Sequence, residues 1–128
     1  MALVIGKAGP YEWTHTTIDY ADGVTDGADQ IVGTNLPDHI YAGGGNDIIK
    51  GGGGADTIDG GDGNDRLIGG DGNDVLNGRA GRDTLYGQNG SDVLYADDGA
   101  FDYLFGGGGR DRFRADSVDR LAELETRL

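Results

Sequence analysis

The chain of 128 residues contains no cysteine, only two prolines, three glutamates and no long hydrophobic run. Without cysteine it forms neither disulfide bonds nor thiolate zinc sites, which is compatible with a reducing or an oxidising compartment. The lack of a hydrophobic run of about 18 residues predicts no membrane-spanning helix. The apolar start Met1–Ile5 is too short for a signal peptide. EF-hand loops are excluded, since Glu12, Glu123 and Glu125 do not close such loops.

Positive charge is also scarce, with 10 Lys and Arg against 23 Asp and Glu and a net charge of −13. This excess of negative charge argues against a nucleic-acid partner. The chain has no HExxH motif, and its two histidines with Ser91 and Ser117 form no convincing catalytic triad. We therefore expect no enzymatic activity.

Glycine and aspartate are abundant and follow a fixed period of nine residues. The repeat reads G-G-x-G-x-D-x-U-x, positions one to nine, where U is a large apolar residue. Position six is occupied by Asp29, Asp38, Asp47, Asp56, Asp65, Asp74, Asp83, Asp92, Asp102 and Asp111. Position eight is occupied by Ile31, Ile40, Ile49, Ile58, Leu67, Leu76, Leu85, Leu94, Leu104 and Phe113. A fixed period of this kind predicts a repeat architecture. One extra residue near Ala100–Phe101 interrupts it.

Local stereochemistry explains why each unit has one apolar residue. Successive strand residues point to opposite faces, so in x-U-x only position eight points inward. Glycine at positions two and four permits backbone conformations that other residues rarely adopt, and lets carbonyl groups approach a cation closely. Stacked strands lie about 4.8 Å apart, so aspartates repeating along such a stack repel one another unless a cation lies between them. Carboxylate and carbonyl oxygens favour Ca²⁺ over Zn²⁺ or copper.

This pattern resembles the repeats-in-toxin (RTX) calcium-binding nonapeptide family over about Val24 to Arg114. The resemblance implies an all-β fold, a right-handed parallel β-roll in which six residues form a calcium-binding turn and three a strand. Two repeats then make one coil of eighteen residues.

By the same resemblance, each ion binds carbonyls of positions two and four and the aspartate of one turn. Its other ligands are the carbonyls of positions one and three and the aspartate of the turn one coil later. Four regular sites follow: Gly43, Gly45 and Asp47 with Gly60, Asp62 and Asp65; Gly52, Gly54 and Asp56 with Gly69, Asp71 and Asp74; Gly61, Gly63 and Asp65 with Gly78, Ala80 and Asp83; and Gly70, Gly72 and Asp74 with Gly87, Asn89 and Asp92.

The outer turns are less regular. Two further sites are expected, one from Thr25, Gly27 and Asp29 with Ala42, Gly44 and Asp47, the other from Gln88, Gly90 and Asp92 with Gly106, Gly108 and Asp111. Asp38, Gly51, Gly53 and Gly81 are candidate ligands in or facing turns that depart from the pattern. Leu36 replaces glycine in the turn before Asp38, and the inserted residue makes the Asp83–Asp102 pair irregular. We expect four to eight Ca²⁺ ions.

Segments outside the repeats predict caps. Residues 1–22 read as an N-terminal cap with one strand at Leu3–Ile5 and a second at the alternating residues Tyr11 to Thr17; Trp13 and Tyr11 are alternatively a sugar-stacking site. Residues 23–115 form the roll, and 116–128 read as a short amphipathic capping helix. We expect this helix to cover Tyr86, Tyr103 and Phe105, which otherwise offer a partner or saccharide surface.

These observations favour a non-enzymatic module that folds on binding calcium. The resemblance implies a secreted, extracellular protein that leaves by a type I route, and the chain is expected to be part of a larger extracellular protein. Two alternatives remain. One is a calcium-dependent accessory module that binds an alginate-like polysaccharide, and the other is an adhesin or matrix spacer.

Overall fold

The computed structural model describes residues 3–5, 16–18, 24–122 and 126–127. The described chain is all-β. Its strands are β1 Leu3–Ile5, β2 Thr16–Ile18, β3 Gln30–Val32, β4 Asp38–Tyr41, β5 Ile48–Gly53, β6 Thr57–Asp59, β7 Arg66–Asp71, β8 Val75–Asn77, β9 Thr84–Asn89, β10 Val93–Ala96, β11 Tyr103–Gly108, β12 Arg112–Ala115, β13 Arg120–Ala122 and β14 Thr126–Arg127. Within these residues no helix is long and apolar enough to cross a membrane.

Successive strands alternate between two parallel sheets, as expected for a β-roll. The odd-numbered strands form one sheet in the order β1-β3-β5-β7-β9-β11-β13, and the even-numbered strands form the other. In the regular body the register advances by eighteen residues, with Ile49 paired to Leu67 and Leu67 to Leu85. At the inserted residue the register advances by nineteen, with Leu85 paired to Leu104. Turns one coil apart therefore stack directly on one another.

The core is a single column between the two sheets. Every position-eight residue from Ile31 to Leu104 is fully buried, and Phe113 is 8% exposed. This confirms the expectation that position eight points inward. Positions six and one lie on the same side of the alternating chain, so the aspartates and alanines such as Ala42 and Ala96 are buried beside the apolar column.

The N-terminal segment extends both sheets. The predicted strand at Leu3–Ile5 is confirmed as β1, which pairs with β3. Of the second predicted strand, the described part is Thr16–Ile18, where β2 pairs with β4. Tyr11 and Trp13, with their alternative of a sugar-stacking site, lie outside the described residues.

The predicted C-terminal helix over residues 116–128 is wrong. Arg120–Ala122 form β13 beside β11, and Thr126–Arg127 form β14 beside β12. The sequence Asp119-Arg120-Leu121-Ala122 repeats the D-x-U-x pattern eight residues after Asp111, and Leu121 pairs with Leu104. The edge of each sheet offers unpaired backbone groups, whereas a short helix is marginal in water. The described part of this segment therefore extends both sheets, and Tyr103 remains 42% exposed.

Candidate metal sites

The turns that connect the strands have a left-handed backbone at positions two and four. This conformation occurs at Gly43 and Gly45, Gly52 and Gly54, Gly61 and Gly63, Gly70 and Gly72, Arg79 and Gly81, Gln88 and Gly90, and Gly107 and Gly109. Arg79 and Gln88 adopt it without being glycine, at φ 67° and 75°. The requirement therefore comes from stacking of the turns, and it confirms the expected role of these glycines.

From Asp47 to Asp111, each position-six aspartate uses its Oδ1 atom to join two coils. The backbone N–H of the aspartate one coil earlier donates to this oxygen, for example from Asp47 to Asp65 and from Asp56 to Asp74, both at 2.8 Å. The same bond recurs from Asp29 to Asp111 at 2.6–2.9 Å. The carboxylates are at most 3% exposed. One oxygen of each carboxylate is thus satisfied by the protein.

The second carboxylate oxygen is buried without a partner in most turns. Among the described residues, this holds for Oδ2 of Asp47, Asp56, Asp65, Asp74, Asp83, Asp92, Asp102 and Asp111. A buried polar oxygen without a hydrogen bond costs free energy, and a charged one costs more. Eight such atoms at one repeat position indicate a common missing ligand.

The oxygen atoms around Oδ2 indicate which kind of ligand fits these turns. A Cβ atom built on Gly60 would lie 2.7 Å from Oδ2 of Asp65 and 3.1 Å from the carbonyl oxygen of Gly78. At Gly87 the same position faces Oδ2 of Asp92 and, at 2.6 Å, the carbonyl oxygen of Gly106. Carboxylate and carbonyl oxygens from successive turns thus converge on one small space. These hard oxygen donors fit Ca²⁺.

Burial raises the pKa of the aspartates from Asp47 to Asp102 in this row from the ordinary value of 3.8. Hydrogen bonds from the backbone oppose the shift, and neighbouring aspartates add to it at most of these positions. The pKa rises to about 8 at Asp65, to about 7 at Asp56, Asp83 and Asp92, and to about 6 at Asp47, Asp74 and Asp102. A cation beside Oδ2 would favour the ionised form and oppose this shift.

The comparison with known families agrees with this geometry. The model of the RTX calcium-binding nonapeptide repeat matches four times, at residues 24–58, 32–67, 68–100 and 86–119. This chain belongs to the RTX calcium-binding nonapeptide-repeat family. No curated protein and no solved structure matches the chain. RTX repeats bind calcium, and they are characteristic of secreted extracellular proteins.

Side chains alone do not form a metal site in the described part of this RTX chain. Among the described residues, no group of three or more His, Asp or Glu side chains converges to hold a metal by itself. Two aspartates per stacked turn pair therefore need carbonyl oxygens to complete a coordination shell of six to eight ligands.

All four regular RTX turn pairs predicted from the sequence are stacked in the structure. In the first, the N–H of Asp62 donates to the carbonyl of Gly43 at 3.1 Å. In the second, Gly52 pairs with Gly70. In the third and fourth, the N–H of a position-four glycine donates to a position-three carbonyl, from Gly63 to Ala80 and from Gly72 to Asn89, both at 3.0 Å.

The outer RTX pairs differ from one another. Gln88, Gly90 and Asp92 stack on the turn from Gly106 to Asp111, with the N–H of Gly90 donating to Gly108 at 3.1 Å. Asp29 stacks on Asp47 through the usual bond from its N–H to Oδ1 of Asp47. Unlike Asp92, Asp29 and Asp38 accept hydrogen bonds from Thr25 and Thr34 of their own turns.

The inserted residue does not interrupt the aspartate column of this RTX chain. The N–H of Asp83 donates to Oδ1 of Asp102 at 2.6 Å, and the N–H of Tyr103 donates to the carbonyl of Asp83 at 2.9 Å. The N–H of Gly81 donates to Oδ2 of Asp98 at 2.9 Å. In regular turns the equivalent N–H donates to a position-three carbonyl, as from Gly63 to Ala80. The sequence-derived ligand set omitted Asp102 and Asp98, although Asp102 is in register at position six.

Sequence reasoning also missed a hydrogen-bonded ladder at position five. Oδ1 of Asn46 accepts from the N–H of Asn64, and Oδ1 of Asn64 accepts from the N–H of Arg82, both at 2.8 Å. On the opposite edge, Oδ1 of Asn73 accepts from the N–H of Ser91 at 2.8 Å. The repeated Gly-Asn-Asp triplets were the available signal. These bonds join the RTX coils without any metal.

Proposed function

We propose that this chain is a non-enzymatic module of an extracellular protein that folds when it meets calcium. The observation that carries the proposal is the row of eight buried carboxylate oxygens without a partner in the described residues. Without a cation, each stacked pair of turns holds two aspartates at close range in a low-dielectric interior, and this opposes folding. Calcium between the turns replaces repulsion with attraction.

The ligands of each regular ion are proposed to be the carbonyl and carboxylate oxygens of two stacked turns. For the third regular site these are Gly61, Gly63 and Asp65 with Gly78, Ala80 and Asp83. Calcium supplies positive charge and binds oxygens of both coils. The chain itself orients the donors through the left-handed backbone at positions two and four and through the Oδ1 hydrogen bonds.

A chain that folds only when calcium is bound is suited to export in the unfolded state. We infer that the chain remains unfolded where calcium is scarce, leaves the cell by a type I route and folds outside. Extracellular calcium modules commonly have dissociation constants on the order of 10⁻⁴–10⁻³ M, which is a suitable range for such a switch. The occurrence of RTX repeats in secreted proteins supports the localisation.

The test is far-UV circular dichroism of the chelated chain during titration with CaCl₂ and, separately, MgCl₂. A cooperative gain of β signal with calcium alone is expected, because Mg²⁺ prefers a tighter octahedral shell and keeps its waters. A chain already folded in chelator would contradict calcium-driven folding.

Asp65→Asn sharpens this test, because Asp65 belongs to two stacked pairs, with Asp47 and with Asp83. The variant keeps an Oδ1 acceptor but loses the charge, so two ions should be lost or weakened together and the calcium midpoint should rise. Asp71→Asn is the matched control, because the Asp71 side chain is exposed and bonds to Nδ2 of Asn89. Equal midpoints for both variants would contradict the assigned ligand role of Asp65.

A polysaccharide surface is the second candidate function, favoured by the outer face of the odd-numbered sheet. Tyr86 and Phe105 stack with ring centroids 4.9 Å apart and planes 8° apart, and Arg66 lies 5.0 Å from the Tyr86 centroid. Half-buried rings beside a guanidinium suit a sugar that carries a carboxylate. A glycan array with calcium and with chelator tests this candidate. The Tyr86→Ala variant, which removes a stacked ring, should lose the binding. Absence of binding in both conditions would remove this candidate.

A further inference from the structure

The first two turns of the roll are closed by threonine side chains. The N–H of Thr25 donates to Oδ2 of Asp29 at 2.6 Å, and the Thr25 hydroxyl donates to Oδ1 at 2.8 Å. Thr34 makes the same pair of bonds to Asp38, at 2.6 Å and 3.0 Å. Each hydroxyl also accepts a backbone N–H two residues later, from Gly27 and from Leu36. These carboxylates therefore have protein donors on both oxygens.

The backbone of these two turns differs independently from that of the calcium-type turns. Seven turns from Gly43 onward have positive φ at both position two and position four. Among the described residues, neither Thr25 and Gly27 nor Thr34 and Leu36 have positive φ. A β-branched residue strongly disfavours that conformation, so threonine at position two supplies the closing hydroxyl and also prevents the calcium-type turn.

We propose that Thr25 and Thr34 close the first coil without a cation, so that calcium binding begins at the Asp47 turn. The hydroxyl and amide of threonine take the place at the carboxylate that a cation takes in later turns. The inference deepens the calcium-dependent folding proposed above and rests on it.

The distribution of unpartnered oxygens defines the resulting ion count. In six stacked pairs both aspartates keep a buried Oδ2 without a partner: Asp47–Asp65, Asp56–Asp74, Asp65–Asp83, Asp74–Asp92, Asp83–Asp102 and Asp92–Asp111. In the pairs Asp29–Asp47 and Asp38–Asp56 only the later aspartate does. The expected stoichiometry is six Ca²⁺ ions.

Near the C-terminal end of the described roll, backbone N–H groups donate to both oxygens of Asp119. Asp119 accepts the N–H of Asp102 at Oδ1 and the N–H of Asp116 at Oδ2, at 2.9 Å and 2.6 Å. The roll therefore has cation-dependent turns in its middle and protein-closed turns towards both ends.

Thr25 offers a sharp test, because Gly27 already occupies position four of its turn. Thr25→Gly converts the turn to Gly-Asp-Gly-Ala-Asp, which has the regular repeat pattern. The bound calcium of the folded chain is counted at saturation by native mass spectrometry and equilibrium dialysis. The wild-type chain should bind six ions and Thr25→Gly seven. Thr25→Ser keeps the hydroxyl and should bind six with an unchanged melting temperature, whereas Thr25→Ala should bind six and melt earlier.

Asp29→Asn identifies the added ion. In the wild-type background it should leave six ions, whereas combined with Thr25→Gly it should reduce seven to six. Circular dichroism in calcium verifies that each variant is folded. Six ions in a folded Thr25→Gly chain, or loss of an ion from wild type on Asp29→Asn, would overturn the inference alone. A wild-type chain without bound calcium would overturn the proposed function, and the inference with it.

Discussion

At the scale of single residues, the two oxygens of each aspartate have different tasks. Oδ1 accepts a backbone N–H from the coil before, as in the bond from Asp47 to Asp65. This division holds at eight positions, where Oδ2 is left for a cation, whereas at Asp29 and Asp38 a threonine donates to both oxygens. A single residue type thus provides a structural hydrogen bond that needs no metal and a ligand that does.

Glycine at position four is the residue whose replacement is expected to damage a turn most. Gly72 has φ 121°, and an added Cβ would lie 2.7 Å from the carbonyl carbon of Gly54 and closer still to its oxygen. Gly72→Ala should destabilise the calcium-loaded chain by at least about 1–2 kcal/mol, the cost of a left-handed backbone at alanine. Urea unfolding in saturating calcium measures this difference.

Gly44→Ala is the control for this substitution. Gly44 occupies position three, has no positive φ, and its added Cβ would meet nothing closer than 3.6 Å. The unfolding midpoint should change little. Equal losses for Gly44→Ala and Gly72→Ala would contradict the assigned difference between positions three and four.

At the scale of the strands, interior strands of three residues are stabilised because they are paired on both sides. The short strand β8 lies between β6 and β10, with Leu76 in register with Ile58 and Leu94. The same pairing draws Arg120–Ala122 into β13 beside β11, although its sequence suggested a helix. Pairing at a sheet edge decides the structure of such a short segment more strongly than its apolar spacing.

Burial along the column predicts how strongly each strand depends on its position-eight residue. Leu76 is fully buried, whereas Leu121 at the same repeat position is 41% exposed. Leu76→Ala should cost about 2–5 kcal/mol in the free energy of unfolding, as for other buried leucines. Leu121→Ala should cost less than about 1 kcal/mol. Urea unfolding of both variants in calcium measures the costs, and a larger loss for Leu121→Ala would show that β13 is more deeply packed than the structure indicates.

At the scale of the whole molecule, folding depends on how the negative charge is neutralised. The chain carries a net charge of −13, and its ten position-six aspartates are buried in two columns along the edges of the roll. Six Ca²⁺ ions carry +12 and would leave a net charge of −1. At neutral pH protons neutralise only some of the same carboxylates, since burial raises the pKa of Asp65 to about 8 and that of Asp47 only to about 6.

This charge balance predicts the pH dependence of folding without calcium. The pKa of the seven position-six aspartates from Asp47 to Asp102 is higher in the folded chain than the ordinary value of 3.8, so protonation of these carboxylates favours the folded state. The stabilising contribution is complete below about pH 3.8 and is lost as the pH rises through about 6–8. Circular dichroism in chelator should show more β structure at pH 5 than at pH 8.

Calcium titrations should show the reverse side of the same equilibrium. At pH 5 the folded chain without calcium holds protons on the carboxylates whose pKa is raised to about 6–8, so calcium that replaces them should release protons. At pH 8 calcium folds a chain whose aspartates, with an ordinary pKa of 3.8, are already ionised, so few protons should be released. Titration with base at constant pH measures the release in both conditions, and equal release at pH 5 and pH 8 would contradict the raised pKa of these aspartates.

The nine-residue period was sufficient to predict the architecture. Because strand residues alternate between faces, Ile49, Leu67 and their equivalents had to form the core, and glycine had to occupy turn positions such as Gly45 and Gly63. These features depend on residues close together in the chain, so their pattern is legible without coordinates. The position-eight core and the left-handed glycines were predicted in this way, the β-roll was predicted from the resemblance to RTX repeats, and all three are confirmed.

The partners of each carboxylate depend on residues a full coil apart and on local backbone geometry, which no pattern specifies. Only the folded chain shows that Asp83 still reaches Asp102 across an inserted residue, that Thr25 occupies both oxygens of Asp29, and that Arg120–Ala122 add a strand. The physical reason is that hydrogen bonds and burial are settled by which backbones stack on one another. A periodic sequence specifies the stacking, but its irregular positions acquire their roles only when the neighbouring coil is in place.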